Sequence, residues 1–403
     1  MSSQVPIVLV GSAAQSPLEA RLAAFGAFPI VHSRWKDATA AIADVQPGAV
    51  IADLEGGPQP ELTALAAGCE ATAHYTPLIV LGRIDEPPHN ALPFATELGL
   101  ERLDARLTAA LRVRTAHMTV LRRLTDSAVR LPDGDPLQDA AALLVGRGRA
   151  YAPLSVALGE RMAVVGALSV EAAAKHLNGR DIDAVILGDG FSHRVALAFL
   201  TVLSEDVRFR NLPVIVSGSF AGGTLPDLPN LQIMRGAPEQ VVAHAVPLTR
   251  QHAFEMRLMR TLKALDAGGL VDPSTGLLTS DAFVTDWSKA VTEAIETGTA
   301  LSAARFSFEG ADARARRDAA RILARLLRGT DFAALHEDSI VTAFAETDLR
   351  SAHVIARRLA SVLRQTALGA ETRIDPSVTL ATVKPDDTPE SAFARLHGQR
   401  VAS

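Results

Sequence analysis

The chain has 403 residues, 48% hydrophobic and 21% charged, which builds packed domains and excludes a disordered chain. A lone cysteine, Cys69, excludes an intrachain disulfide and a cysteine zinc site, so an intracellular, cytoplasmic protein is expected. With a net charge of -5, no basic leader and no run of 18 apolar residues, neither DNA binding, nor a signal peptide, nor membrane insertion is expected.

Residues 1–130 alternate short apolar runs with helical stretches. Pro6–Val10, Ala49–Leu54 and Pro77–Leu81 are candidate strands, and Leu18–Ala24 is a helix. Such runs with helical spacers are the signature of a parallel sheet covered on both faces. From Glu101 the pattern turns helical, with Leu103, Leu107, Leu111, Met118, Leu121 and Leu124 on one stripe. Leu131-Pro-Asp-Gly-Asp-Pro136 then breaks it.

Residues 136–250 repeat the design. Strands are expected at Ala141–Val145, Met162–Gly166, Asp183–Leu187 and Leu212–Val216, with helices at Val170–Leu177 and Ala196–Leu203. In both segments a strand ends near an acid, Asp53 and Asp189, and the next opens with a proline, Pro77 and Pro213. The reading is an internal duplication of roughly 120 residues. A second helix is expected from His252 to Leu265. Both long helices run past their domains with apolar stripes, and such stripes are usually paired, so a homodimer is expected.

Residues 251–403 change order. After the linker helix come Val271–Leu278, a helix Ser280–Glu296 carrying Asp281, Asp286 and Ser288, and a strand Leu301–Phe308. An arginine-studded helix Ala311–Arg328 and a hairpin of Phe332–Leu335 with Ile340–Phe344 follow. Helix Arg350–Thr366, strand Ser377–Val383 and a short helix Glu390–Leu396 complete an α+β order with an antiparallel element.

Asp272-Pro-Ser-Thr-Gly-Leu-Leu-Thr-Ser280, Phe344-Ala-Glu-Thr-Asp348 and Ala356-Arg-Arg-Leu359 resemble the motifs of the GGDEF domain of diguanylate cyclases. The whole chain resembles the PleD/PopA-like receiver–receiver–GGDEF proteins of alphaproteobacteria. The fold this implies is α/β, two receiver-like doubly wound parallel-sheet domains followed by an α+β nucleotide-cyclase-like domain.

The departures point away from turnover. His336-Glu-Asp-Ser-Ile340 stands where the family writes its signature, so the glycines that admit phosphate are His336 and Glu337. Arg305 and Ser307 stand where the first strand supplies metal carboxylates, and Thr279 where an asparagine reads guanine. Only Asp338 survives, and three consecutive residues such as His336, Glu337 and Asp338 rarely converge on one ion. No catalytic set, no metal and no cofactor are expected. The receivers are degenerate too. Asp53 sits at the phosphoacceptor place, but Gly11-Ser12 replaces the acidic pair that holds Mg²⁺ and no lysine follows the last strand. The favoured reading of Asp53 is a strand-end carboxylate left over from the fold.

One family site looks kept. Arg328-Gly-Thr-Asp331 falls at the place of the R-x-x-D site that binds cyclic di-GMP, and Arg358 at that of its second arginine. Arginine presents a planar fork to phosphate or guanine, and a carboxylate accepts from the guanine edge. The alternative is that Arg328 satisfies helix-end carbonyls and Asp331 caps a turn. The resemblance thus implies an inactive cyclic di-GMP effector that recruits protein partners. By family likeness these are protease adaptors and a cell-cycle regulator, brought together at a cell pole. The rivals are a ligand-independent scaffold and a weak diguanylate cyclase.

Overall fold

The computed structural model describes residues 5–11, 17–25, 28–54, 60–96, 99–124, 131–218, 225–272, 275–310, 313–366 and 376–396. Among them no helix is long and apolar enough to cross a membrane. Contacts divide the chain into two compact units. One joins Pro6–Arg114 with Pro132–Arg257, and the other joins Met1–Val5, Thr115–Leu131 and Leu258–Ser403.

The first of these holds two parallel sheets. The strands β1 (Ile7–Val10), β2 (Ile30–Ser33), β3 (Ala49–Asp53), β4 (Leu78–Leu81) and β5 (Ala91–Phe94) run in the order β2-β1-β3-β4-β5, all parallel. Helices α1 (Pro17–Phe25), α2 (Ala38–Val45) and α3 (Leu62–Glu70) lie between them in sequence. Strand side chains alternate between two cores. Ile7, Leu9, Ile51 and Ile79 face one, and Val8, Val10, Val50 and Val80 the other. Both faces are dry, which is why these strands read as unbroken apolar runs. Helix α4 (Leu103–Leu124) follows.

The second sheet repeats that order. Its strands are β6 (Ala141–Val145), β7 (Ala163–Ala167), β8 (Ala184–Leu187), β9 (Val214–Ser217) and β10 (Leu231–Met234). They are arranged β10-β9-β8-β6-β7 and are parallel throughout. Helices α5 (Tyr151–Gly159), α6 (Val170–Gly179) and α7 (His193–Glu205) accompany it, and α8 (Pro238–Leu265) leaves it. Numbered within each sheet, both orders are 2-1-3-4-5, a doubly wound topology with its switch point between the first and third strands. The duplication therefore holds at the level of strand order.

The two sheets share one apolar core, running from Ile7, Leu9 and Leu107 to Leu144, Ile186 and Leu248. Polar ties reinforce it. Arg106 is 1% exposed, and its guanidinium donates to the carbonyls of Pro93, Pro229 and Leu231 at 2.9, 2.7 and 3.0 Å. Arg112 grips Glu255 with two hydrogen bonds of 2.7 and 3.1 Å, a bidentate pair.

The other unit is built on an antiparallel sheet. Strands β11 (Leu301–Ser307), β12 (Phe332–His336), β13 (Ser339–Ala345) and β14 (Ser377–Thr382) take the order β12-β13-β11-β14. With helices α9 (Ser280–Thr297), α10 (Ala313–Leu326), α11 (Leu349–Thr366) and α12 (Pro389–Leu396), the connectivity from β11 to β14 is βαββαβ. This is the ferredoxin-like plan. One face packs Phe306, Ile340 and Phe344 against α10 and α11. The other packs Ala303, Val341 and Phe332 against α9 and α12.

In this unit the end of α4 is fastened to α9. Arg122 and Arg123 donate through Nε to the two carboxylate oxygens of Asp286 at 2.7 and 2.8 Å. All three side chains are nearly dry, at 6%, 7% and 5% exposure. Both guanidinium groups also lie over the Phe332 ring, 5.1 and 5.9 Å from its centroid. Along α4, Leu103, Leu107 and Met118 of the apolar stripe are buried, while Leu111, Leu121 and Leu124 are half-buried; on α8, Leu258 and Leu262 are buried.

Three strands escape a reading by composition, namely β2, β5 and β10. Each has four residues and lies at or next to a sheet edge, and β5 carries Pro93. Proline cannot donate to a ladder and is tolerated only at such places. Helix α8 starts at Pro238, well before His252, and runs through Pro247, the residue that masks its first half in the sequence.

Candidate functional site

The hairpin between β12 and β13 turns at Glu337 and Asp338, with His336 paired to Ser339 across its base. Glu337 adopts φ +50°, the left-handed region that glycine fills without strain. This turn therefore places a non-glycine side chain in a conformation that glycine adopts without strain. Arg305 lies on β11, paired with Val341 and Thr379 on its two neighbours. Its Nε donates to Ser339 Oγ at 3.0 Å, and its Nη2 to Asp338 Oδ1 at 3.1 Å. The surviving signature carboxylate therefore already has a cation, supplied by the protein.

A pair of divalent cations needs several convergent carboxylate oxygens. The hairpin offers Glu337 and Asp338, the second already paired with Arg305, and among the described residues no further carboxylate is grouped with them, so these residues do not fit the metal pair of a diguanylate cyclase. Thr279 is spent on structure as well. It is the N-cap of α9, its side chain accepting from the Ala282 N–H.

At the opposite end of the sheet, Arg328 follows α10 and is exposed, while Asp331 is 9% exposed just before β12. The Arg328 N–H donates to Asp331 Oδ2 at 3.4 Å, and the Asp331 N–H donates back to the Arg328 carbonyl at 3.0 Å. The carboxylate also accepts from the Ala345 N–H. Asp331 thus caps the turn and ties the start of β12 to the end of β13. Arg358 stands exposed on α11. Among the described residues it makes no hydrogen bond or ion pair with Arg328 or Asp331. The structure joins Arg328 and Asp331 through the Arg328 main chain.

Burial pushes the Asp331 carboxyl up to about 6, against the opposing pull of the Arg328 charge and the two N–H groups. A folded-state pKa above the ordinary 3.8 means that protonation favours the fold. The contribution is complete below about pH 4 and is lost as pH rises through about 6. Asp331→Asn is therefore expected to flatten the rise in stability that the wild type shows from pH 6 down to pH 4. Urea unfolding midpoints of both proteins at half-unit pH steps check this. Equal slopes would remove Asp331 as the titrating group.

In the first parallel sheet Asp53 ends β3, next to Gly11 at the end of β1. A Cβ at Gly11 would overlap the Trp35 indole nitrogen and come within 2.8 Å of the Asp53 carbonyl. The indole therefore fills the corner where an acidic pair would stand, and Ser12 lies outside the described residues. In the second sheet Gly148 leaves room for the Asp189 carboxylate, and Arg147 Nε donates to the Gly190 carbonyl at 2.9 Å. Among the described residues no three His, Cys, Asp or Glu side chains are grouped to hold a metal ion.

The sequence reading passed over the Arg122–Arg123–Asp286 clamp. An Arg-Arg doublet in an amphipathic helix reads as a solvated face. The available signal was that Arg122 falls on the stripe of Met118 and Leu121, at i+4 and i+1.

No protein-family model and no curated protein matches the chain. Similar solved structures include GGDEF domains. The coiled coil and GGDEF domain of DgcB from Caulobacter crescentus, in complex with c-di-GMP, is 19% identical. It covers 36% of this chain and 84% of its own, with a TM-score of 0.31. The diguanylate cyclase SiaD from Pseudomonas aeruginosa, in complex with its activator SiaC, is 18% identical over 36% of this chain and 61% of its own, at 0.30. A sensory box/GGDEF family protein from Caulobacter crescentus CB15 is 19% identical over 32% and 94%, at 0.27.

Proposed function

We propose that the chain is a catalytically silent cyclic di-GMP effector, with two degenerate receiver-like domains and a degenerate GGDEF domain. The observation that carries this reading is the Arg305–Asp338 pair. It places a fixed guanidinium where a cyclase needs carboxylates, next to a hairpin whose glycines are His336 and Glu337. A metal ion approaching there finds the Asp338 carboxylate already paired with a guanidinium, and a phosphate meets two β-carbons. Arg328 and Arg358 remain exposed and open to a phosphate or a guanine edge. Asp331 sets the turn that presents Arg328, and the weight of recognition falls on the arginines. In this reading ligand binding biases the recruitment of protein partners. Family resemblance names these as protease adaptors and a cell-cycle regulator acting at a cell pole. Asp53, at the end of β3, is read as a strand-end carboxylate.

Titration calorimetry on the full chain tests the ligand. Arg328→Ala removes a charge-assisted contact and is expected to weaken cyclic di-GMP binding by about 2–4 kcal/mol, roughly 30- to 1,000-fold. Arg358→Ala weakens it too, and Arg34→Ala, on the first parallel-sheet domain, leaves it unchanged. Wild type that fails to bind below about 100 micromolar ligand would favour the ligand-independent scaffold. Incubation with GTP and Mg²⁺ or Mn²⁺ is expected to yield no cyclic di-GMP. A product lost on Asp338→Ala would restore the cyclase reading.

A further inference from the structure

A groove of about 1000 Å³ opens on the antiparallel-sheet unit, away from the hairpin. Its walls are the end of α9, the first two turns of α11, and the segment after β14. Ile295, Leu349, Val354 and Val383 give it an apolar floor, and Leu349 and Val354 are 38% and 67% exposed. Arg350, His353 and Arg357 form one stripe of α11 along it, and Lys384 faces them from the other wall. None of these four side chains makes a hydrogen bond or ion pair among the described residues. The two carboxylates present differ in role. Asp348 caps α11 by accepting from the Ser351 N–H at 2.7 Å, and Asp386 is exposed.

Three permanent cations over an apolar floor call for an anion with apolar parts. The spacing decides which kind. Arg350 and Arg357 are seven residues apart, about 10 Å along the helix axis, which is too far for one phosphate to bridge. It matches two turns of a helix or three residues of extended chain. No Phe, Tyr or Trp lines the groove, so a nucleobase lacks the large aromatic platform on which single-stranded bases usually stack.

We infer that the groove docks an acidic segment of a partner protein, with carboxylates on the α11 cations and apolar side chains on the floor. This is the helix-in-groove mode of recognition with a basic rim. The inference does not depend on cyclic di-GMP binding at Arg328.

Fluorescence anisotropy on the full chain tests it, using a labelled synthetic peptide with glutamates at i, i+4 and i+7 and leucines between them. The acidic peptide is expected to bind, with affinity falling as salt rises. Its counterpart with lysine at each glutamate should not bind. Arg350→Glu with Arg357→Glu is expected to weaken binding about tenfold or more, while Arg317→Glu with Arg325→Glu on α10 changes it less than about twofold. Equal loss in both double variants would mean nonspecific attraction and overturn the proposal. So would displacement of the peptide by inorganic phosphate or cyclic di-GMP. Hydrogen exchange on the wild type avoids dependence on folded variants. The peptide should slow exchange at 349–357 and 382–386, and unchanged exchange there would also overturn the proposal.

Discussion

Replacing Asp286 with alanine is expected to destabilise its unit by about 3–5 kcal/mol, the usual cost of removing one partner from a buried ion pair. Asp286 is the shared anion of Arg122 and Arg123, each within 2.8 Å and each nearly dry. Without it two guanidinium groups stay buried against the Phe332 ring. Glu293, 3.3 Å from Arg122, and Asp266, 3.5 Å from Arg123, compensate only in part. The loss should exceed that of an exposed pair such as Arg34–Asp37, where about 0–1 kcal/mol is typical. Urea unfolding of the full chain measures it. A triple variant, Arg122→Met, Arg123→Met and Asp286→Leu, should recover most of the loss, because the penalty lies in unpaired charge. A loss below about 1 kcal/mol for Asp286→Ala would show that water reaches the pair.

Arg106→Met is the second large expected effect, about 3–6 kcal/mol. Methionine keeps much of the volume and supplies no donor. The buried carbonyls of Pro93 and Leu231 would each lose a partner at about 1–3 kcal/mol apiece, and the half-buried carbonyl of Pro229 would lose one at a smaller cost. Pro93 belongs to β5 of one sheet and Leu231 to β10 of the other. The variant should therefore loosen one sheet from the other as well as lower stability. Unfolding followed by tryptophan fluorescence and by circular dichroism should cease to coincide. Coincident transitions at an unchanged midpoint would refute the tie.

The strands at the centre of both parallel sheets were legible because burial on two faces writes itself as an unbroken apolar run. The edge strands were not. Ile30–Ser33 and Leu231–Met234 mix polar residues into four positions, and only pairing to a neighbour makes them strands. The hairpin at Glu337–Asp338 was placed from the flanking apolar runs. Its chemistry was half legible. The lost glycines could be read directly, but the reach of Arg305 to Asp338 follows from a β11–β13 register that spans more than thirty residues. At the candidate ligand site the spacing of Arg328 and Asp331 was visible. The inward turn of the Asp331 carboxylate was not, because it depends on the Ala345 N–H arriving from another strand.

By itself the sequence determined the class and order of the elements, since apolar periodicity and turn residues act over a few positions. It also determined which charged groups stand at the signature hairpin. Only the tertiary structure decided which of 35 arginines are buried. Arg106 and Arg123 look like any helical surface arginine in sequence, and Arg122 is set apart only by falling four residues after Met118 of the apolar stripe. Their burial is tolerable only because carbonyls and a carboxylate from distant segments converge on them, and that convergence is a property of packing.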